Sequence, residues 1–278
     1  MPPRPPHAPA AEVSESPALH SERLESLANG LALLRVFAEG TPSLTVQEAA
    51  VRLELTRAAA RRLLITLQLE GYLRCEGTQY RATPKVMDLG FAYYASMSLP
   101  QLAHSTLQAL GEQVGEACSL GVWDEGHVVI VARHEPARML RVNVDIGRRL
   151  PAFAHSMGRV LLAAQPLPAQ RAHLRAHPPR AFTKETVTGK EQLLQIFQQV
   201  SQQGWCILTG ELAEGFCGIS VPITSASGQV LAALSITMVQ GRHTADDLQT
   251  RYLPPLQTAA QQLESLVHGR ERFHGFTF

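Results

Sequence analysis

Residues 56–71, TRAAARRLLITLQLEG, decide how the N-terminal part of this chain folds. The segment opens on a threonine, which can cap a helix with its hydroxyl, and it ends on a glycine, which can terminate one. Apolar and small residues recur between them at helical spacing, and the predicted core-facing set is Ala60, Leu63, Leu64 and Leu67. Three arginines fall close together, at Arg57, Arg61 and Arg62. The segment therefore predicts an amphipathic helix with a basic exposed face.

A short helix is predicted immediately before this basic helix. Thr45 and Glu48 have the spacing of a capping box, in which each side chain satisfies a backbone N–H of the first turn. The helical pattern that follows runs to about Leu53 and breaks at residues 54–55. Two helices joined by a tight turn, the second of them rich in arginine, are typical of a helix-turn-helix.

The flanking segments complete this domain. An earlier helix begins at Ser26 and stops at Gly40. After the basic helix, residues 72–74 and 79–81 predict two short strands around a glycine-containing turn, which is the arrangement of a wing. We therefore predict a winged helix-turn-helix DNA-binding domain over residues 23–83.

The basic helix has the composition that entry into a DNA major groove requires. Small residues in the first turn let the backbone approach the bases, and arginines can reach guanine edges or phosphates. We expect Arg57 and Arg61 to contact base edges of double-stranded operator DNA. Arg62 and the wing residue Arg81 are expected to contact phosphates, which position the protein without reading sequence. The predicted DNA-binding residues are Thr45, Thr56, Arg57, Ala58, Ala59, Arg61, Arg62 and Arg81. The alternative is that the arginines belong to a merely solvated helix face.

The rest of the chain divides where composition and pattern change. Residues 1–22, rich in Pro, Ala and Ser, predict a disordered tail. Residues 84–98 predict a linker helix, with Thr83 as its cap. Residues 99–270 mix strands and helices, which predicts an α+β sensor-like domain, and residues 271–278 are expected to form a C-terminal tail.

Two local patterns inside the larger domain make specific predictions. Residues 140–146 alternate apolar and polar side chains, as a half-buried strand does. Thr188 and Glu191 have the spacing of a second capping box and predict a helix that ends at Gly204.

Composition limits the class of protein. The net charge is only +1, so any charge that attracts DNA must be local. No apolar run approaches the roughly 18 residues of a membrane-spanning helix, and we expect a soluble, cytoplasmic protein without a membrane partner. The four cysteines lack CxxC spacing, which argues against a disulfide framework and a zinc site, and no cofactor or metal is expected.

Several spaced motifs resemble one known family. LELTRAAARRLLITLQLEGYL, residues 53–73, resembles the winged helix-turn-helix of the IclR (isocitrate lyase regulator) family, and VMDLGFAYY resembles its linker helix. In the C-terminal part, GRRLPAFAHSMGRVLLA and GELAEGFCGISVPITSASGQVLAALSIT resemble two segments of the effector domain. The resemblance covers about residues 24–270. It implies a GAF-like effector-binding domain and homodimers that associate into tetramers.

Within the family, LPAFAHSMGRVLLA and VIVARHEPARML look closest to the PcaR, PcaU and PobR group, which regulates β-ketoadipate and aromatic catabolism. Members of this group are commonly activators, so the resemblance implies an activator of an aromatic-acid catabolic operon. The alternative is a repressor that responds to a different small carboxylate.

The resemblance also implies where the effector binds. The positions carried over are Met139, Val142, Ser156, Met157, Phe216, Gly218, Ser235 and Thr237. A helix that starts near Ser156 offers backbone N–H groups to an anion, and hydroxyls on one strand face add donors. A small carboxylate effector, aromatic in this group, is the implied ligand.

Four residues depart from the family pattern. Cys217 stands where the family usually carries Arg, and His155 stands where the group usually carries Thr. Ala58 and Ala59 replace the usual Ser and Thr of the recognition helix, which should change the preferred operator rather than abolish DNA binding.

Single features of the sequence could also be assigned to three other functions. An enzyme would use Cys217 as nucleophile and His155 as base, but no Cys-His-acid spacing supports it. A metal site at His173 and His177 lacks a nearby acidic or Cys partner. An architectural DNA-binding protein would leave the larger domain without a role.

Overall fold

The structure, a computed structural model, describes residues 23–38, 40–89, 99–136, 145–239, 241 and 245–274. The chain divides into two compact units, Met1–Met97 and Ser98–Phe278. The predicted tail over residues 1–22 and residues 90–98 of the predicted linker helix lie outside the described residues.

Among its described residues, the first unit contains three α-helices and a two-stranded wing. Their bounds are α1 Glu25–Ala38, α2 Val46–Arg52, α3 Arg57–Leu69, β1 Leu73–Glu76 and β2 Gln79–Ala82. Leu44 pairs with Tyr80 of the wing through two backbone hydrogen bonds of 2.9 and 2.8 Å. The core is built from small and apolar side chains, chiefly Leu33, Leu44, Ala49, Ala50, Ala60, Leu64 and Leu73. The predicted winged helix-turn-helix is confirmed.

Both helices of the helix-turn-helix begin at the predicted caps. The hydroxyl of Thr45 accepts the Glu48 N–H at 3.2 Å, and the Glu48 carboxylate accepts the Thr45 N–H at 2.7 Å. These hydrogen bonds from Thr45 lower the pKa of Glu48. The hydroxyl of Thr56 accepts the Ala59 N–H at 3.2 Å. Between the helices, Glu54 adopts a φ of 55°, in the left-handed region, and so makes the tight turn.

The segment after the wing is fastened to the C-terminal end of α3. Thr83 donates its hydroxyl to the Gly71 carbonyl at 2.6 Å, and Lys85 Nζ donates to the Glu70 carbonyl at 2.8 Å. The Lys85 ammonium also lies 5.1 Å from the centre of the Tyr72 ring. A cation at the last carbonyls of a helix is stabilising because those carbonyls lack partners within the helix.

Two predictions at this junction are corrected by the structure. The Thr83 side chain does not cap the following turn, because it binds the carbonyl at the end of α3 instead. Pro84–Val86 form a 3-10 turn before helical residues begin at 87. The strands of the wing extend to Glu76, so its turn is shorter than predicted.

A six-stranded antiparallel sheet with helices on both faces forms the second unit. The helices are α4 Leu99–Val114, α5 Ser156–Ala163, α6 Leu167–Ala176, α7 Lys190–Gln203, α8 Ala245–Asp247 and α9 Leu253–His274. The strands are β3 Ala117–Asp124, β4 His127–His134, β5 Arg149–Pro151, β6 Cys206–Thr209, β7 Phe216–Thr224 and β8 Val230–Val239. Their order in the sheet is β5-β4-β3-β8-β7-β6.

The two faces of this sheet pack against different helices. On one face, Ile219 and Ile236 belong to a core shared with α4 and α9. On the other, Ala233 and Cys206 belong to a core shared with α5 and α7. Successive residues of a strand alternate between these faces. The predicted α+β, GAF-like architecture is confirmed.

Three further local predictions need correction or lie outside the description. The first helical hydrogen bond of α7 runs from Leu193 N–H to the Gly189 carbonyl, so Gly189 is the cap and the predicted Thr188 box is wrong. Of the predicted strand over residues 140–146, Ile146 lies in an exposed turn and residues 140–144 lie outside the described residues. Helix α9 continues to His274, so the chain is helical where a C-terminal tail was expected to begin at residue 271.

A group of aromatic rings surrounds His173 on α6. The ring of His173 lies 4.7 Å from that of His177 and 5.3 Å from that of Trp123, measured between centroids. Burial, followed by the neighbouring His177 and His127, lowers the pKa of His173 to about 4. The native protein therefore holds this imidazole neutral well below the pH at which a solvated histidine takes up a proton.

This burial predicts a loss of stability in acid. The unfolded chain, with a histidine pKa of about 6.5, takes up the proton first as the pH falls. His173 should therefore lower the free energy of unfolding between about pH 6.5 and 4, by up to ~1.4 kcal/mol per pH unit. His173→Phe keeps a ring in place and should flatten this part of the dependence, measured from urea midpoints at pH 7.5 and 5. Equal pH slopes for the variant and the parent would contradict the assignment.

Candidate functional site

The exposed face of α3 carries the three arginines singled out in the sequence. Arg57, Arg61 and Arg62 are all exposed, and within the described residues none of them forms an ion pair. The first turn of the helix contains no acidic residue to offset their charge. A chain with a net charge of only +1 thus concentrates positive charge on one helix.

The remaining residues predicted to bind DNA are arranged around the start of the same helix. Ala58 is exposed and Ala59 half-buried, so the first turn offers a narrow surface. The hydroxyls of Thr45 and Thr56 are both used as helix caps, which fixes the starts of α2 and α3. In the structure, Thr45 and Thr56 therefore serve to set where α2 and α3 begin.

Arg81 is placed differently from the arginines of α3. Its Nε lies 3.4 Å from a carboxylate oxygen of Glu76, on the neighbouring strand of the wing, and Glu76 also pairs with Arg74 at 3.2 Å. The guanidinium of Arg81 is thus already paired with the carboxylate of Glu76. A phosphate would have to compete with Glu76 for it.

On the second unit, residues carried over as effector ligands meet between α5 and the sheet. A Cβ placed on Gly218 would lie 3.4 Å from Ser156 Oγ and 3.7 Å from Thr237 Oγ1. Ser235 lies two residues before Thr237 on β8 and so shares its face, and Phe216 shares the face of Gly218 on β7. Met157 Sδ lies 2.9 Å from the Cβ position of Gly121, on β3. Met139 and Val142 lie outside the described residues.

The structure adds polar residues to this face that the sequence did not single out. Ser220 Oγ lies 2.7 Å from Ser156 Oγ, and the strand register places Ser220 opposite Ser235 and Ser235 opposite Ser119. Arg133 follows in the same row, and its Nη1 donates to Ser119 Oγ at 2.9 Å. The sequence places one serine on each of the strands β3, β7 and β8, but only the register aligns these three serines.

The start of α5 is more completely hydrogen-bonded than expected. His155 is its N-cap, and the Met157 N–H donates to His155 Nδ1 at 3.3 Å. Burial, followed by the charge of Arg159, lowers the pKa of His155 to about 4, so the ring stays neutral and can accept. The prediction that this helix start presents free N–H groups is therefore wrong for Met157.

A buried ion pair fixes the position of α5. Arg159 Nη2 lies 2.6 Å from Glu211 Oε2, and its Nε donates to the Phe153 carbonyl at 2.8 Å. The same Glu211 oxygen accepts the Val187 N–H at 2.9 Å. The glycine at 158 is required for close approach, since a Cβ there would lie 2.1 Å from the Ala152 carbonyl oxygen.

Cys217 and His155 do not form a nucleophile and base. Cys217 pairs with Met238 and belongs to the core shared with α4 and α9, whereas Ser156, next to His155, contacts the opposite face of the sheet. Burial, followed by Glu116, raises the pKa of Cys217 to about 11. Its thiol stays protonated, and its side chain lies on the face of β7 opposite the hydroxyls.

The described residues also bear on three other features: a metal site, a separate cavity and a membrane-spanning helix. Within the described residues, no group of three His, Cys, Asp or Glu side chains could hold a metal ion, His173 and His177 included. A cavity of about 470 Å³ is lined by residues of α7, β6 and the segment after β8, among them Gln199, Trp205 and Asp246. None of its lining residues belongs to the predicted effector set. Among the described helices, none is long and apolar enough to cross a membrane.

A winged helix-turn-helix with an exposed basic helix, joined in one chain to a separate α+β domain with a polar sheet face, defines a ligand-responsive DNA-binding regulator of transcription. Two family models match the chain: the IclR helix-turn-helix domain over residues 26–77 and the bacterial transcriptional regulator IclR C-terminal domain over residues 91–265. The chain belongs to the IclR family of transcriptional regulators. Its members are regulators and not enzymes.

Three relatives illustrate the similarity. The Pca regulon regulatory protein of Pseudomonas putida is 39% identical over 241 residues, which cover 86% of this chain and 83% of that protein. A transcriptional regulator from Rhodococcus sp. RHA1, known from its crystal structure, has a sequence 36% identical to this chain. Its structure superposes with a TM-score of 0.82 over 89% of this chain and 99% of that one. The inducer-binding domain of PobR from Acinetobacter, a double mutant in complex with 3-hydroxybenzoic acid, is 32% identical, with a TM-score of 0.58 over 60% of this chain and 98% of that one.

The position of Cys217 predicts that it is chemically inert in the folded protein. At pH 8 its raised pKa leaves little thiolate, and the side chain is only 3% exposed. We expect iodoacetamide to label it about a hundredfold or more slowly in the native protein than in urea, as measured by peptide mass spectrometry. The half-buried Cys75 is the internal control. Rapid native labelling of Cys217 would mean that the thiol is accessible and reactive.

Proposed function

We propose that α3 enters the major groove of operator DNA and that Arg57 and Arg61 read base edges there. The observation that carries this proposal is the exposed set of three arginines, which have no ion-pair partner among the described residues and follow a narrow first turn. These two arginines stand four residues apart and so project from one side of the helix. Arg62 contacts phosphate, and Arg81 does so only after release from Glu76.

We propose further that the effector is a small aromatic carboxylate. The effector binds at the hydroxyl-bearing face between α5 and the sheet. The residues that contact it there include Ser156, Met157, Phe216, Gly218, Ser235 and Thr237. The support is the convergence of Ser156, Gly218 and Thr237 in the structure, together with the 3-hydroxybenzoic acid held by the related PobR domain. Gly218 leaves room beside two hydroxyls where a larger side chain would fill it.

The regulatory step follows from linkage. An effector that binds one arrangement of the second unit more tightly than another shifts the population toward it. In our proposal the segment from residue 84 onward transmits this shift to paired recognition helices of a homodimer or tetramer. The protein then acts in the cytoplasm as an activator of an aromatic-acid catabolic operon.

Substituting one arginine tests the DNA-reading role. Arg61→Ala should lower affinity for the operator by about 1 to 3 kcal/mol more than affinity for a scrambled duplex, because a bidentate base contact is lost. Arg62→Ala, the matched control, should weaken both duplexes equally and reduce the salt dependence of binding. Fluorescence anisotropy at two salt concentrations measures both effects. Unchanged discrimination in Arg61→Ala would refute its assignment as a base reader.

A thermal-shift titration tests the effector class. A ligand present at a hundredfold its Kd stabilises by about 2.7 kcal/mol, which raises the Tm of a domain of this size by roughly 5 to 10 °C. We expect 4-hydroxybenzoate or a related aromatic acid to produce this shift, and Ser235→Ala to reduce it. Ser265→Ala, which removes an exposed hydroxyl on α9, should leave it unchanged. No shift with any aromatic or aliphatic carboxylate would overturn the proposed ligand class.

A further inference from the structure

The exposed face of the wing carries two arginines directly opposite each other. The strand register pairs Arg74 of β1 with Arg81 of β2. Glu76 lies two residues after Arg74 on the same strand and so shares that face, whereas the alternate residue Tyr80 is buried in the core of the first unit. Like charges directly opposite on neighbouring strands repel each other. An anion between the two guanidiniums therefore stabilises this arrangement.

The carboxylate of Glu76 supplies this anion. Its Oε1 lies 3.2 Å from Arg74 Nε, and its Oε2 lies 3.4 Å from Arg81 Nε, so each oxygen serves a different arginine. A backbone phosphate of DNA also presents charged oxygens that suit guanidinium groups. We call Arg74 and Arg81 the wing clamp, because together they hold one anionic group.

The hold of Glu76 on the wing clamp is weak. The side chains of Arg74, Glu76 and Arg81 are 65%, 55% and 41% exposed, and ion pairs exposed to water contribute little to stability. The Nε of Arg81 is buried, yet it has no hydrogen-bond partner among the described residues, so its contact with Glu76 is one of charge alone. DNA carries one negative charge for about every 1.7 Å of its axis. So dense a row of charges can displace a single carboxylate.

We propose that Arg74 and Arg81 together bind one backbone phosphate of DNA, and that Glu76 occupies their site in the DNA-free protein as an internal competitor. The inference rests on the proposed DNA-binding function and deepens it, because it adds Arg74 to the phosphate contacts and makes Glu76 a residue that lowers DNA affinity. Phosphate contacts carry no sequence information. Glu76 therefore lowers affinity for operator and for other duplexes alike.

Fluorescence anisotropy on the full chain tests the competitor. The probe is a short mixed-sequence duplex at low salt, where phosphate contacts are strongest. Glu76→Gln keeps the shape of the side chain and removes its charge, and it should bind about two- to fivefold more tightly than the parent, the factor that corresponds to one exposed ion pair. Glu191→Gln is the matched control, because it removes the same charge from an exposed pair with Arg171 on the second unit. Its affinity should equal that of the parent.

A second pair of variants distinguishes release of the wing clamp from simple repulsion between Glu76 and DNA. In a background that carries Arg74→Gln and Arg81→Gln, no clamp is left to release, so Glu76→Gln should lose most of its gain in affinity. Repulsion through space does not depend on the arginines. An equal gain in both backgrounds would therefore overturn the proposal.

The Tm of each variant reports whether it is folded. If Arg81→Gln unfolds the wing, Arg74→Gln alone supplies the background, since Glu76 Oε1 pairs with that arginine.

The outcomes also separate this inference from the proposed function. A parent protein that binds neither an operator nor the mixed-sequence duplex refutes the proposed function and the wing clamp with it. A parent that binds DNA, with a folded Glu76→Gln variant of unchanged affinity, overturns the competitor and leaves the proposed role of α3 standing. Because the probe has no operator sequence, the result is independent of whether Arg61 reads bases.

Discussion

The antiparallel register of β3, β8 and β7 is the constraint on which the second unit depends. Because strand residues alternate between faces, a single register decides which side chains join the apolar core with α4 and α9 and which face α5. A shift of one residue would send Ser235 and Ser220 into that core and bring Ile236 and Ile219 out of it. The deep burial of both apolar layers therefore holds the hydroxyls in their row.

The same constraint separates Cys217 from His155, two of the residues that depart from the family pattern. Cys217 is adjacent in sequence to Gly218, yet the two residues face opposite sides of the sheet because successive residues of β7 alternate between its faces. The cysteine contributes to packing, whereas His155 caps α5 and so affects the helix that covers the hydroxyl-bearing face. Proximity in sequence to a ligand position is thus a poor guide to a residue's influence on ligand choice.

Local signals in the sequence were sufficient for much of the fold. The Thr45 capping box, the Thr56 cap and the helical spacing of α3 act over a few residues, and each prediction drawn from them is confirmed. Thr188 and Glu191 had the same spacing, but Gly189 is the N-cap of the helix and no side chain caps its first turn. A capping-box spacing therefore does not by itself fix the residue at which a helix begins. The family resemblance located Ser156, Gly218 and Thr237, which the structure brings together. Arg133 and Ser119 escaped notice because their alignment depends on pairing between distant strands, which no local pattern records.

The hydrogen bonds at the C-terminal end of α3 bear on how operator preference can change. Because Lys85 and Thr83 donate hydrogen bonds to the carbonyls of Glu70 and Gly71, the end of the basic helix is joined directly to the start of the following segment. A small change of angle at one end of a helix displaces side chains at its other end, where the arginines lie. In the proposed DNA complex, operator specificity can therefore change through residues 83–85 as well as through the arginines, because a tilt of α3 moves its arginines while its own sequence stays the same.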